Sequence, residues 1–377
     1  MWSSIAGSSA GPFQVRDLAL VKLLALTKYG SQAASTRQRF FLYEPALSAA
    51  GITVDYSPFF NNYHLERLVA GQGASLLSAV RGYSRRLLTV VSARHYDALW
   101  VHYEAFPYLP GIMELLAATA GKPVVLDYDD ATFHTYDSSP NPLVRRVLGR
   151  KLKPLLKRAA RCCCGNAYLH DYAAQYCAQS MILPTVVDTD SYRPLGKVGH
   201  GPVVIGWIGS PSTWAFVQPL LPVLRRLVEE CGVVIRAVGA GDAAERDQFP
   251  GLELVKWTEA TEIAAVQAMD IGIMPVPDGP FERGKCGYKL IQYMACGLPV
   301  VASPVGVNAT IVDPGLNGYL AHDDEEWRNA LLKLIEDREL RTAMGTSGRA
   351  RVVADFSLAR HAPRVVALFQ SLAAPHE

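Results

Sequence analysis

The chain of 377 residues has no long hydrophobic run. Half of its residues are apolar, yet no stretch approaches the ~20 consecutive apolar residues that a membrane-spanning helix needs. The run Leu18–Leu26 is short and contains Lys22, so it reads as a buried strand. The opening segment Met1–Gln14 lacks the positive start and apolar core of a secretory leader. A cytoplasmic protein is expected, at most peripheral on the inner face of the cytoplasmic membrane. Charge of one sign is also lacking. Thirty-seven Lys and Arg stand against 35 Asp and Glu, a net charge of +2, so global charge gives no pull toward nucleic acid and no such partner is expected. No Cys-x-x-Cys pair occurs. Seven cysteines, an odd number, with Cys162, Cys163 and Cys164 consecutive, suit neither a disulfide framework nor a zinc site. They read as reduced thiols. Internal repeats and low-complexity tracts are absent as well.

What is present is alternation. Short apolar runs separated by longer amphipathic stretches occur at Leu18–Leu26, Ile52–Tyr56, Ala98–His102, Val124–Leu126, Arg161–Gly165 and Met181–Leu183. A second series follows at Val203–Ile208, Val233–Val238, Leu252–Val255, Ile271–Met274, Val300–Ala302 and Tyr319–Ala321. Buried strands alternating with helices predict parallel sheets covered on both faces. Two series predict an α/β chain of two Rossmann-like, doubly wound domains facing a cleft. Pro184–Pro202, rich in Pro and Gly, marks the linker. The first domain is expected over 1–190 and the second over 191–356, with a helix at about 357–377 packing back on the first. Ligands of doubly wound sheets lie beyond the carboxyl ends of the strands, so functional residues should follow strands.

In the second half, Val203–Ile208 runs into Gly209-Ser210-Pro211-Ser212-Thr213. A small-residue loop opening a helix exposes N–H groups to an anion; a tight turn is the other reading. Gly239-Ala240-Gly241-Asp242 reads as an ordinary turn. The informative stretch is Asp278–Ser303. A loop with Arg283, Gly284 and Lys285 leads into a helix from about Gly287, on which Lys289 and Gln292 share a face. A cation there suits a diphosphate, and an amide one turn on suits a ribose hydroxyl. In the first half, Gly30 and Ser31 open the segment Ser31–Arg39 with Arg37 and Arg39. His102 and Glu104 end one strand, Asp127, Asp129 and Asp130 end another, and Asn166 follows a third. Clustered carboxylates raise each other's pKa. They suit accepting a proton, positioning an acceptor hydroxyl, binding a divalent cation, or capping the next helix.

The stretch around 284–303 resembles the GT-B retaining glycosyltransferases of family 4. Their helix reads (Lys)-Leu-x-Glu-x-Met-Ala-x-Gly-x-Pro-Val-Val, matched here by Lys289, Leu290, Met294, Ala295, Gly297, Pro299, Val300 and Val301. Trp257-Thr258 falls at the family's base-binding loop, and Asn317-Gly318-Tyr319-Leu320 resembles its closing motif. Ser-x-Arg-x-Arg at 35–39, Glu104 with Pro107, and Asp-x-Asp-Asp at 127–130 resemble one subgroup. Two departures stand out. Gln292 takes the position of the glutamate that holds the ribose, and Gly284 that of the first glutamate of the family's E-x7-E pair.

The resemblance implies transfer of a sugar, with retention and without a metal, from a nucleotide-diphosphate sugar to a hydroxyl of a sugar, lipid-linked or glycoconjugate acceptor. Surface polysaccharide, glycolipid or glycoconjugate synthesis would be the setting. Lys289, Arg283 or Lys285, the Gly209–Thr213 loop, Gly30 and Ser31 would hold the diphosphate, Gln292 the ribose, and Trp257 and Thr258 the base. Asp127, Asp129, Asp130 and His102 would face the sugar and acceptor, with Arg37, Arg39, Glu104 and Asn166 on the acceptor side. A glutamate at 292 would be tolerated. A nucleotide-sugar-binding partner subunit without catalysis is the alternative. Last, Asn141–Arg161 carries eight basic residues and no acidic one, with Leu143, Val147, Leu152, Leu155 and Leu156 as an apolar side and Pro154 dividing it. Arg145–Arg161 reads as a contact with an anionic membrane surface, or as a solvated helix.

Overall fold

The computed structural model describes residues 20–61, 76–196 and 201–373. It contains twelve strands in two six-stranded sheets, and every described pairing is parallel. The first sheet is built from β1 (Val21–Tyr29), β2 (Ile52–Phe60), β3 (Ala98–His102), β4 (Val124–Tyr128), β5 (Arg161–Cys164) and β6 (Ser180–Ile182). The second is built from β7 (Val204–Ile208), β8 (Val234–Val238), β9 (Leu252–Val255), β10 (Ile271–Met274), β11 (Val300–Ala302) and β12 (Gly318–Leu320). All twelve apolar runs thus become strands, because parallel strands are buried on both faces and read as continuous apolar segments. The run at Leu18–Leu26 begins at two residues outside those described, and its strand continues to Tyr29. Thr27 and Lys28 are buried there, and Lys28 is paired with Glu104.

The three consecutive cysteines form β5. Alternation sends Cys162 and Cys164 into the core on one face of the sheet and Cys163 into the core on the other. All seven thiols are free.

Strand order positions the site. The first sheet runs β2-β1-β3-β4-β5-β6 and the second β12-β11-β10-β7-β8-β9. In each, the chain first winds one way and then reverses, between β1 and β3 and between β7 and β10. Loops leaving adjacent strands at such a point diverge and leave a crevice beyond the carboxyl ends.

The described start of the segment between the sheets is built into the fold. Thr185, Val186 and Val187 are buried. Val187 donates its N–H to Phe356 and accepts from the N–H of Leu358, which clips the linker to the returning chain. The final helix, Leu358–Ala373, then lays Ala362, Val365, Leu368 and Phe369 on the first sheet beside Phe40 and Trp100. The rings of Trp100 and Phe369 lie 4.9 Å apart.

Candidate active site

The loops after β3 and β4 bring a compact polar cluster to the carboxyl end of the first sheet. His102 is fully buried, with Nε2 3.1 Å from Asp129 Oδ1 and Nδ1 without a hydrogen-bond partner among the described residues. The Tyr103 hydroxyl donates to the same Asp129 oxygen. Tyr103 holds φ at +62°, a conformation unusual for a side chain of this size, and its ring stacks on His102 at 3.7 Å. Burial works to raise the Asp129 carboxyl. The hydrogen bond and charge of His102, with Arg39 and Tyr103 behind them, outweigh it and hold the group below its ordinary value.

Asp130 behaves oppositely. Burial, with the neighbouring Asp129 charge, pushes it up to about 6 against the opposing pull of Lys285, whose Nζ lies 3.8 Å from it. Two adjacent carboxylates are therefore separated in proton affinity by their surroundings.

The opposing wall comes from β7 and β10. Ser210 and Ser212 are exposed after β7, with their hydroxyls 3.0 Å apart, and the Ser210 N–H donates to Thr213. Gly239, at φ +77°, comes so close that a Cβ would meet the Gly209 carbonyl at 2.4 Å, so the loops after β7 and β8 nest. The helix Tyr288–Ala295 carries Lys289, half-buried, with Nζ 5.5 Å from the Trp207 ring. Burial and then the charge of Lys285 push Lys289 down to about 8, while Asp130 opposes them. Lys285 and Lys289 thus both act on the Asp130 carboxylate, which follows Asp129. Gly30 and Ser31, with Phe41 and Tyr56, line a cavity of about 240 Å³ at the ends of β1 and β2.

Gly284 explains one departure from the family pattern. It is buried against the first domain, and a Cβ would lie 2.5 Å from that of Ala131 and 2.9 Å from its backbone nitrogen. No glutamate fits there. Asn166 caps the helix Ala167–Ala174 through Leu169 N–H and donates across the crevice to the carbonyls of Gly284 at 2.9 Å and Lys285 at 3.0 Å.

Several expected site residues have other roles. Arg39 and Asp127 form a fully buried ion pair, Nε to Oδ1 at 2.7 Å, beneath the site and not in it. Glu104 is buried among Lys28, Lys151 and Tyr136. Burial works to raise its carboxyl, and the charges of Lys28 and Lys151 outweigh it. Asn166 ties the domains together instead of lining an acceptor pocket. Arg283 is exposed and engaged by both oxygens of Asp278, at 2.6 and 2.9 Å. Arg37 crosses to the second domain, 4.8 Å from the Trp257 ring and 3.5 Å from Glu262. Thr258 is exposed and bonded to Thr261. Gln292 is buried, and Nε2 donates to Glu262 at 2.7 Å. Sequence reading missed Glu262, because a lone glutamate at a helix start carries no motif. Among the described residues no group of three His, Cys, Asp or Glu could hold a metal ion.

The basic segment divides as Pro154 suggests, into helices Pro142–Leu148 and Lys153–Leu156. Its apolar side divides too. Leu152, Leu155 and Leu156 enter the core, and Lys151 is buried with Glu104 and Glu114, so neither they nor Lys151 can meet a membrane. Leu143 and Val147 remain exposed beside Arg145, Arg146 and Arg150. No helix among the described residues is long and apolar enough to cross a membrane.

Residues 202–337 match the family of glycosyl transferases, group 1. They make up most of the second domain. A D-inositol 3-phosphate glycosyltransferase of Corynebacterium jeikeium is 34% identical over 208 residues, 47% of this chain and 48% of that protein. A GDP-mannose-dependent monoacylated phosphatidylinositol monomannoside mannosyltransferase of Corynebacterium glutamicum is 30% identical over 112 residues, 29% of each. The chain spans about half the length, or less, of the curated relatives it matches. Among solved structures, HepE of Anabaena with UDP and glucose aligns over 93% of this chain and 100% of its own, at TM-score 0.69 and 17% identity. Sucrose-phosphate synthase of Thermosynechococcus elongatus aligns over 93% and 99%, at TM-score 0.69 and 16% identity. The fold is GT-B.

Proposed function

We propose that this protein is a retaining glycosyltransferase that moves a sugar from a nucleoside-diphosphate sugar to an acceptor hydroxyl. The observation that carries this is a crevice where both sheets reverse their winding, with Lys285 and Lys289 on one wall and Asp129 and Asp130 on the other. Breaking the bond between the sugar C1 and the phosphate oxygen leaves its electron pair on the diphosphate, where fixed cations stabilise it. The acceptor oxygen bonds C1 on the same face and gives up its proton. Asp130, with an affinity near neutrality, is suited to receive it. Asp129, held as an anion by His102 and Tyr103, is suited to the positive charge that develops at the sugar. A diphosphate that binds Lys285 also releases Asp130 from its ion pair, which strengthens it as a base once the donor is bound.

The reaction needs no metal in this reading. HepE was solved with UDP and with UDP-glucose, which makes uridine nucleotides the first donors to try. Incubation with nucleotide sugars and a panel of sugar and glycolipid acceptors should give a glycosylated product in the presence of chelator. Donor binding without transfer to any acceptor would favour a nucleotide-sugar-binding subunit.

The acceptor is proposed to be lipid-linked and met at an anionic membrane on the cytoplasmic side. Leu143 and Val147 are exposed among Arg145, Arg146 and Arg150. Helix Leu76–Ser92, without an acidic residue, exposes Val80, Leu87, Leu88 and Val91 near Arg81 and Arg85. Its Val90 enters the same core as Leu155 of the helix Lys153–Leu156, which follows the exposed basic helix in the chain. Apolar side chains flanked by cations suit a headgroup region.

A further inference from the structure

Gln292 stands where the family pattern has a glutamate, and a glutamate stands beside it in space. Nε2 of Gln292 donates to Glu262 Oε1 at 2.7 Å and to the Tyr192 hydroxyl at 2.9 Å, and that hydroxyl donates to the same Oε1. Glu262 Oε2 accepts from Trp257 Nε1 at 2.7 Å and lies 3.5 Å from Arg37. One carboxylate therefore joins the loop after β9, the helix bearing Lys289, the linker and the first domain.

The chemistry of that contact fixes the amide. A carboxylate only accepts, so Gln292 must turn its nitrogen toward Glu262; the flipped amide would set oxygen against oxygen at 2.7 Å. Among the described residues both side-chain hydrogen bonds of Gln292 run through Nε2, which leaves Oε1 as an acceptor. The family's glutamate presents an acceptor to the ribose from this position. We propose that Glu262 is a positioning residue for the nucleoside. It locks the Gln292 amide so that its oxygen, and not its nitrogen, meets a ribose hydroxyl. This rests on the donor-site reading above and deepens it. It also reverses the expectation that a glutamate at 292 is tolerated. Gln292→Glu alone sets two carboxylates in contact, which disfavours their joint ionisation.

The pair makes a swap possible. In Glu262→Gln with Gln292→Glu, the new amide oxygen accepts from Trp257 while its nitrogen donates to the new carboxylate, and position 292 again offers an acceptor. In Glu262→Gln alone, the Gln292 amide turns to give its oxygen to residue 262 and aims its nitrogen at the ribose.

The test is titration calorimetry of the full chain with UDP, GDP and ADP, and with the 2′,3′-dideoxy form of whichever binds. Each single variant should weaken the nucleoside diphosphate about tenfold, the scale of one misdirected hydrogen bond to a polar partner. Neither should weaken the dideoxy form, and the double variant should return to within about threefold of wild type. Rescue by the swap is a readout that simple loss of packing would not give, and it stands even if Gln292→Glu alone folds poorly. Single variants that bind like wild type, or a double variant as weak as the worse single, overturn the role of Glu262. Wild type binding none of the three diphosphates overturns the donor-site reading itself, and this proposal with it.

Discussion

Lys289 and Asp130 carry the titrations that bracket the proposed reaction. Asp130, at about 6, must be ionised to accept a proton, so activity should rise with pH through that value. Lys289, at about 8, must be protonated to hold the diphosphate, so activity should fall as pH passes it. The profile of kcat/KM, which reports the free enzyme, should be a bell with limbs near those values. Lys289→Arg should remove the alkaline limb, because a guanidinium stays charged throughout. A bell unchanged by that substitution would detach Lys289 from donor binding. Asp129→Asn should lower kcat on the order of 10²–10³, as loss of one electrostatic stabiliser does, with KM for the donor little changed. A loss of folding stability in place of turnover would make Asp129 a structural group. At this scale the sequence was a mixed guide. The motif located Lys289 and Gln292 on one helix, and the strand pattern located Asp129 and Asp130 just after β4. It did not reveal that Arg39 would neutralise Asp127 in the core, or that Glu104 would be absorbed by Lys28 and Lys151. Those pairings join residues 47 to 88 positions apart, which no local pattern encodes.

Elements were more legible than residues. Strands buried on both faces announce themselves as apolar runs, so all twelve could be located. Helices of four residues, such as Pro211–Trp214 and Lys153–Leu156, are too short to show a period and emerge only from packing. The basic segment shows the cost. Its five apolar side chains looked like one amphipathic face, whereas three of them serve the core. The membrane test must therefore spare Lys151, whose loss would leave Glu104 and Glu114 buried without their cation. With Arg145, Arg146 and Arg150 replaced by Gln, sedimentation with anionic liposomes at low salt should fall, since each basic residue near such a surface contributes about 1 kcal/mol. Wild type should be released as salt rises. Wild type that ignores anionic liposomes at low ionic strength would point to a soluble acceptor.

Several contacts tie the whole molecule together. The final helix crosses back to the first sheet. Asn166 clasps Gly284 and Lys285, and Arg37 rests on Trp257 and Glu262. The last two contacts border the proposed donor site, so a donor would enter between domains that already touch. The central claim is that a nucleoside diphosphate binds the second domain through Lys289. Calorimetry of wild type and Lys289→Ala with UDP, GDP and ADP, joined to hydrogen exchange of the complex, tests it most directly. At least one diphosphate should bind and protect the loop after β7 and the segment Arg283–Gln292. Lys289→Ala should weaken that binding by about 1.5–3 kcal/mol, the scale of a hydrogen bond to a charged group. Protection confined to residues before 180, or an affinity indifferent to Lys289→Ala, would contradict the account.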